Sequence, residues 1–140
     1  MFQCMIESQR QFLEERLSAL LCATSLAFVD MTPSKIPEVP GVYLITAKVT
    51  GLELPYYVGR TKNLRQRLYN NHLMGPLSNA RLKNCLISAG ECKDIIAAKE
   101  FVKICCSARW IEQGNFRERG AIEGYATGLL FPKHGICEEH

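Results

Sequence analysis

GVYLITA at residues 41–47 and LPYYVG at residues 54–59 are the two runs that decide the fold of this chain. Both are rich in the β-branched and aromatic residues that strands favour, and the VTGLE segment at 49–53 between them contains a glycine typical of a turn. We therefore predict a β-hairpin, which places Tyr43 and Tyr57 on neighbouring strands.

An arginine-rich run, RTKNLRQRL at residues 60–68, follows the second strand directly. We predict a short helix over residues 63–71, capped by Thr61 or Asn63. Tyrosine and arginine together suit the handling of an anionic phosphate ester. Gly59 is expected to allow a close approach beside the same site, whereas Tyr56 is expected to face the opposite side of the strand from Tyr57 in a structural role.

The remaining elements are predicted from periodicity, prolines and caps. Apolar residues at helical spacing predict a helix over 5–28, and three prolines make 31–40 an extended connector. Further helices are predicted over 76–90 and 115–130, with a strand over 101–109 between them.

This order of elements predicts an α+β fold, with a small, mostly antiparallel three-stranded sheet flanked by helices and an extra N-terminal helix. We assign residues 1–39 to the N-terminal helix and connector, and residues 40–140 to the main domain, the two forming one compact unit.

The charge is concentrated in one part of the chain. The net charge of the 140 residues is only +3, yet residues 60–90 contain six basic residues and no Asp or Glu. Such a basic island predicts a local anionic partner, although a solvated helix face is the alternative explanation of a charge run.

Cysteine usage and hydropathy bear on the cellular compartment. The seven cysteines show no CxxC pairing, so we expect neither a zinc site nor a disulfide framework, but free and largely buried thiols. Cys105 and Cys106 are expected to point to opposite faces of the strand over 101–109. The apolar run at 17–29 is too short to cross a bilayer, and we predict a cytoplasmic protein without membrane association.

Over residues 41–132 the chain resembles the GIY-YIG nuclease superfamily, whose two tripeptides stand here as GVY and YVG. Arg67 followed by His72 resembles the family's arginine and histidine, and Glu123, nine residues before Pro132, stands at the spacing of the family's glutamate. The resemblance implies that Tyr43, Tyr57, Arg67, His72 and Glu123 are catalytic, and that Glu123 binds a divalent metal. Glu118 is the alternative ligand.

Two positions depart from the family pattern. Gly135 stands where the family often has an asparagine. His72 lies five residues after Arg67 instead of four, while Asn71 occupies the expected place. In an α-helix that displacement turns a side chain about a quarter-turn away.

The chemistry of phosphodiester hydrolysis agrees with this set of residues. Mg²⁺ or Mn²⁺ can be held by one carboxylate, here Glu123, and acts as a Lewis acid. Arg67 suits a forked contact with the scissile phosphate. Tyr43 or Tyr57, with a pKa lowered by nearby cations, takes a proton from water directly or by relay, and no covalent intermediate is required.

The sequence thus predicts a metal-dependent endonuclease that hydrolyses DNA in one step by activated water. Double-stranded DNA is the expected substrate, with backbone contacts from Arg60, Lys62, Arg65, Arg81 and Lys83. A homodimer through the N-terminal helix is a further hypothesis, and His134 is expected to be incidental. The alternatives are a nucleic-acid-binding protein without cleavage on the same scaffold, and a protein-interaction module.

Overall fold

The structure is a computed structural model that describes residues 1–75 and 81–135. Its elements are helix α1 (Phe2–Cys22), strands β1 (Leu26–Ala27), β2 (Gly41–Lys48) and β3 (Glu53–Thr61), a π-helix (Gln66–Leu73), helices α2 (Arg81–Ser88) and α3 (Ile95–Cys105), strand β4 (Cys106–Glu112) and helix α4 (Phe116–Leu130). Two single 3₁₀ turns, Phe28–Asp30 and Pro33–Lys35, lie between β1 and β2.

The sheet is antiparallel throughout, with strand order β1-β4-β2-β3. The α+β class, the hairpin and the N-terminal helix are confirmed. The prediction of three strands is wrong, because the two-residue strand β1 adds a fourth by pairing with Ala108 and Ser107 of β4. Strand β1 falls within the predicted 5–28 helix, which ends instead at Cys22, where Ala23 adopts an extended backbone.

The region before β4 also differs from the prediction. Residues 101–105 belong to α3, so the third long strand starts at Cys106. Asp94 caps α3 by accepting a hydrogen bond from the backbone N–H of Ala97 at 2.8 Å. Cys105 therefore ends a helix, and Cys106 begins a strand.

The alternation of β2 separates two core layers. Val42 and Leu44 pack with α1 and α4 in one cluster, whereas Tyr43 and Ile45 pack with α3 and the π-helix in the other. Because successive strand residues face opposite sides, the helices cover both faces of the sheet.

A β-bulge corrects the prediction for Tyr56. The β2–β3 register shifts between Ile45 and Thr46, which pair with Tyr57 and Pro55 and leave Tyr56 between them. The unpaired Tyr56 is the extra residue of the bulge on β3. Tyr56 and Tyr57 therefore pack in the same core cluster, and Tyr56 does not face the opposite side of the sheet.

The thiols differ from the prediction as well. Cys92 and Cys106 are buried and Cys105 is partly buried, but the free thiols of Cys4 and Cys22 are exposed. Cys85 is disulfide-bonded, so the expectation of free thiols is wrong at this position. In the part of the chain that the structure describes, no helix is long and apolar enough to cross a membrane.

Candidate active site

Tyr43 is buried against Gly59 on the neighbouring strand. The two residues pair across the β2–β3 ladder, and the tyrosine ring lies over the glycine. A Cβ added to Gly59 would overlap the hydroxyl and ring carbon of Tyr43. The close approach expected at Gly59 is thus made by a side chain, and the GVY and YVG tripeptides are halves of one packing unit.

Tyr43 is hydrogen-bonded to His72. The hydroxyl oxygen lies 2.8 Å from the imidazole Nε2, and both side chains are only 1% exposed. Burial, reinforced by the charges of Arg67 and Lys83, lowers the pKa of His72 to about 3, so the ring is neutral. Burial raises the pKa of Tyr43 well above its usual value, so this tyrosine is a neutral phenol.

The π-helix explains how His72 reaches the site. A π-helix forms i→i+5 hydrogen bonds, as the bond from the Met74 N–H to the Tyr69 carbonyl illustrates at 3.1 Å. Residues five apart then lie one turn apart, as residues four apart do in an α-helix. The expected quarter-turn displacement of His72 is therefore wrong, because the helix type absorbs the additional residue.

Arg67 lies one turn before His72 in this helix. Burial dominates all three shifts, and the charge of Arg67 opposes the rise in the pKa of Tyr43 and of Tyr57 and adds to the fall in the pKa of His72, which indicates that Arg67 is close to all three rings. The Nε atom of Arg67 is buried and donates to no acceptor in residues 1–75 and 81–135. A buried guanidinium nitrogen without a partner is suited to an anionic ligand.

Tyr57 connects the buried rings to a cleft of about 270 Å³. Its ring stacks on Tyr43 with 6.2 Å between centroids. Burial raises the pKa of Tyr57, and the guanidinium groups of Arg81 and Arg67 oppose the increase. The described residues that line the cleft are Tyr57, Val58, Arg81, Glu123, Gly124, Thr127, Pro132 and Gly135.

Glu123 supplies the carboxylate of this cleft from α4. Its side chain is 30% exposed, and one oxygen lies 3.8 Å from the Nε of Arg60. Partial burial raises the pKa of Glu123, and the charge of Arg60 opposes the increase. In the described residues no group of three or more His, Cys, Asp or Glu side chains could hold a metal ion. A single partly desolvated carboxylate beside open space still fits Mg²⁺, which keeps several waters.

Gly135 has a conformational reason to be glycine. Its φ is 110°, which disfavours other residues, and an added Cβ would touch the Tyr57 ring at 3.6 Å. The departure from the family's asparagine is therefore accompanied by a backbone that an L side chain rarely adopts.

The segment around Gly135 is attached to β3 through main-chain hydrogen bonds. The N–H groups of Lys133 and His134 donate to the carbonyls of Pro55 and Tyr56, at 3.1 and 2.9 Å. This attachment forms one wall of the cleft.

Glu91 holds the same wall through its side chain. Its carboxylate accepts a hydrogen bond from the Tyr56 hydroxyl at 3.0 Å, lies 2.9 Å from His134 Nε2 and pairs with Lys133 at 2.8 Å. Burial alone would raise the pKa of Glu91, but the contacts to Lys133, His134 and Tyr56 lower it. His134 is thus a structural partner of the cleft. Glu91 was not identified from the sequence. Its partners Tyr56 and His134 lie 35 and 43 positions away in the chain, and no local pattern indicates contacts over such separations.

The five cations predicted to bind nucleic acid differ in their exposure and in their partners within the protein. Arg60, Lys62 and Arg81 are exposed. Arg65 donates to the Ile36 carbonyl at 2.9 Å and pairs with Glu38.

Lys83 is buried, and its ammonium lies 2.8 Å from the Gly75 carbonyl and 3.2 Å from the Leu73 carbonyl. Burial lowers the pKa of Lys83 to about 8. Lys83 therefore stabilises the end of the π-helix and offers nothing to an external phosphate. The predicted start of its helix, at 76–80, lies outside the described residues.

Comparison with known families identifies the class of protein. The model of the GIY-YIG catalytic domain matches residues 39–109, about half of the chain. The chain therefore belongs to the GIY-YIG family. The matched residues include Tyr43, Tyr57, Arg67 and His72. Glu123 lies outside the matched range, and only its position in the cleft beside Tyr57 associates it with these residues.

Solved structures similar to this chain include the GIY-YIG N-terminal endonuclease domain of UvrC from Thermotoga maritima. Two point-mutant forms bound to the catalytic divalent cation are 24% and 23% identical; both have a TM-score of 0.44 and cover 72% of this chain and 87% of that one. The magnesium-bound form is 23% identical with a TM-score of 0.41, covering 72% and 88%. No curated protein matches the chain.

Proposed function

We propose that this protein is a metal-dependent endonuclease that hydrolyses phosphodiester bonds in DNA. The observation that carries the proposal is one cleft where Tyr57, Arg81 and Glu123 meet, backed by the hydrogen-bonded pair of Tyr43 and His72. Glu123 would hold Mg²⁺ or Mn²⁺, which when bound stabilises charge on the phosphoryl oxygens as a Lewis acid. Partial desolvation strengthens that electrostatic contribution.

In this proposal Tyr57 orients the attacking water through its hydroxyl and accepts the water proton when it is in its ionised, phenolate form. Tyr57 lines the cleft, and the cations Arg81 and Arg67 oppose the effect of burial on its pKa. Tyr43 is fully buried behind it and bonded to neutral His72, so these two residues position the Tyr57 ring. Arg67 and Arg81 bind the scissile phosphate, and charge-assisted hydrogen bonds from guanidinium groups suit that role.

The substrate we propose is double-stranded DNA, held along its backbone by Arg60, Lys62 and Arg81, all of which are exposed. A homodimer through α1 would extend the contacted site, and the exposed Phe2, Met5 and Ile6 support this arrangement. The cytoplasm is the proposed location: a disulfide at Cys85 favours an oxidising compartment, but the other five cysteines of the described residues are free thiols, which favours a reducing one.

Plasmid cleavage tests the proposal. Supercoiled plasmid is incubated with wild-type protein and Mg²⁺ or Mn²⁺, with Glu123→Gln and with an EDTA control. Glu118→Gln is the matched control, since Glu118 lies on the same helix but does not line the cleft. We expect metal-dependent nicking in the wild type and in Glu118→Gln, and a loss of about 100-fold or more in Glu123→Gln. Circular dichroism checks that each variant is folded.

The alternative functions predict other outcomes of the same experiment. Intact plasmid that shifts on a gel at low salt would support a nucleic-acid-binding protein without cleavage, a reading that glycine at position 135 favours. Neither cleavage nor binding at low salt would support a protein-interaction module. Equal loss in Glu118→Gln and Glu123→Gln would contradict the metal site.

A further inference from the structure

A second cleft, of about 390 Å³, adjoins the first. Arg60, Lys62, Arg67 and Arg119 line it, together with Gln66 and Phe116, and none of the described residues that line it is acidic. A groove that contains cations and no carboxylate is suited to a polyanion.

The two clefts are joined by arginines. Arg60 lies 3.8 Å from Glu123 in the first cleft and also lines the second. Arg67 lines the second cleft, and its charge acts on Tyr57 of the first cleft and on Tyr43 buried behind it. A strand with its scissile phosphate in the first cleft would therefore bring a neighbouring nucleotide into the second.

Phe116 is the unusual member of the second cleft. It is the first residue of α4, is 71% exposed and belongs to neither core cluster. Core packing therefore does not explain a phenylalanine at this position. An aromatic ring among cations is the combination by which proteins bind unpaired nucleotides, with the base on the ring and the phosphate on the cations.

The ring is carried by a well-supported backbone. Asn115 caps α4 by accepting a hydrogen bond from the Glu118 N–H at 2.9 Å. Arg119 is 7% exposed, and its guanidinium donates to the carbonyls of Gln113 and Gly114 at 3.2 and 2.9 Å. These bonds fix the loop before Phe116, so the ring projects from a rigid helix end, and little backbone order is lost when it stacks.

We propose that Phe116 stacks on a nucleobase next to the scissile phosphate, while Arg60 and Lys62 hold the phosphate of the same nucleotide. A base inside an intact duplex would reach the ring only after being flipped out, at the cost of unpairing and unstacking it, so the preferred substrate would be a duplex with an unpaired nucleotide beside the cut, as at a gap, flap or mismatch. The inference rests on the proposed function and narrows its substrate class.

Binding without metal tests the inference separately from cleavage. Fluorescence anisotropy in EDTA measures the affinity of the full chain for a duplex with a single-stranded tail. We expect Phe116→Ala and Phe116→Leu to bind about tenfold more weakly and Phe116→Trp to bind like the wild type. Ile96→Ala, which removes a similarly exposed apolar side chain (76%) from α3, should leave binding unchanged.

Abasic substrates make the test specific to a base. An abasic nucleotide is placed in turn at each position of the tail, including the junction with the duplex. If Phe116 stacks on a base, one abasic position removes the difference between wild type and Phe116→Ala.

The possible outcomes separate the two proposals. DNA binding that is equal in wild type and Phe116→Ala overturns the inference and leaves the nuclease proposal standing. A deficit of Phe116→Ala that persists on every abasic substrate also overturns it. A base-dependent deficit in a protein that never cleaves supports the inference and contradicts the nuclease proposal. A wild type that binds no DNA overturns both.

Discussion

At the residue scale, the site depends on a glycine as much as on its tyrosines. Tyr43 and Tyr57 are identifiable in the sequence, because the tripeptides that contain them are conspicuous. The role of Gly59 is visible only in three dimensions, where the Tyr43 ring occupies the space of its absent side chain. The position of the Tyr43 hydroxyl, and hence its bond to His72, depends on that space.

Gly59→Ala tests this packing. The added methyl group would overlap the buried Tyr43 ring, and we expect the free energy of unfolding to fall by about 1–3 kcal/mol, the usual cost of overpacking. Urea denaturation measures the change. Gly128→Ala is the control, because its Cβ would meet open space within α4, where alanine should stabilise by about 0.5–1 kcal/mol. A Gly59→Ala protein as stable as wild type would contradict the packing described.

At the element scale, helix type decides which residue enters the site. Sequence spacing alone favours Asn71 over His72, since the count assumes an α-helix. Over Gln66–Leu73 the helix is of π type, and His72 is the residue that meets Tyr43. Lys83 bonds to carbonyls at the end of this helix and so supports its unusual form.

Exchanging two neighbouring residues tests the role of helix type. The double variant Asn71→His, His72→Asn restores the family's spacing of four residues after Arg67. In the π-helix, however, it is position 72 that faces Tyr43, and position 71 does not. We expect its histidine to be partly exposed and to titrate near 6.5, whereas the pKa of wild-type His72 is about 3. NMR titration of the ring protons distinguishes the two values.

The same substitution has a consequence for stability against pH. In wild type the folded pKa of His72 is depressed, so between about pH 6.5 and 3 the unfolded state binds a proton that the folded state does not. The free energy of unfolding of the wild type should therefore decrease as the pH is lowered from about 6.5 to 3, and it should decrease less in the double variant. Deletion of exposed Asn70, which returns the histidine to four residues after Arg67, should preserve the low pKa. A histidine that stays at about 3 in the double variant would contradict the π-helix explanation.

At the scale of the whole molecule, the first cleft forms where two layers meet at the edge strand β3. Glu123 comes from α4 on one face of the sheet, and Tyr57 belongs to the core cluster of the other face. The segment Lys133–His134 bonds to the outer edge of β3 and closes one side. The carboxylate and the tyrosine that line this cleft therefore depend on both layers being assembled.

Self-association is the prediction at this scale. An apolar groove lined by Phe2, Met5, Ile6, Leu13 and Tyr125 lies at the N-terminal part of α1, and burial of such a surface favours a dimer. We expect sedimentation to show a concentration-dependent dimer that Ile6→Glu weakens by about tenfold or more, because it buries an unpaired charge. Ile96→Glu, on exposed α3 surface, is the control. A wild type that is monomeric at all concentrations would contradict the homodimer.

Local sequence patterns are enough to predict the β2–β3 hairpin, helix α4, the α+β class and the family tripeptides, because each of these depends on residues close together in the chain. The short strand β1, the start of β4, the bulge at Tyr56 and the π-helix were decided by tertiary structure. Each of these depends on partners distant along the chain, such as Ser107 and Ala108 for β1. The same holds for the Glu91 contacts and for the burial of Lys83. Local periodicity records the intrinsic preference of a segment, whereas burial and long-range hydrogen bonds decide which preference is realised.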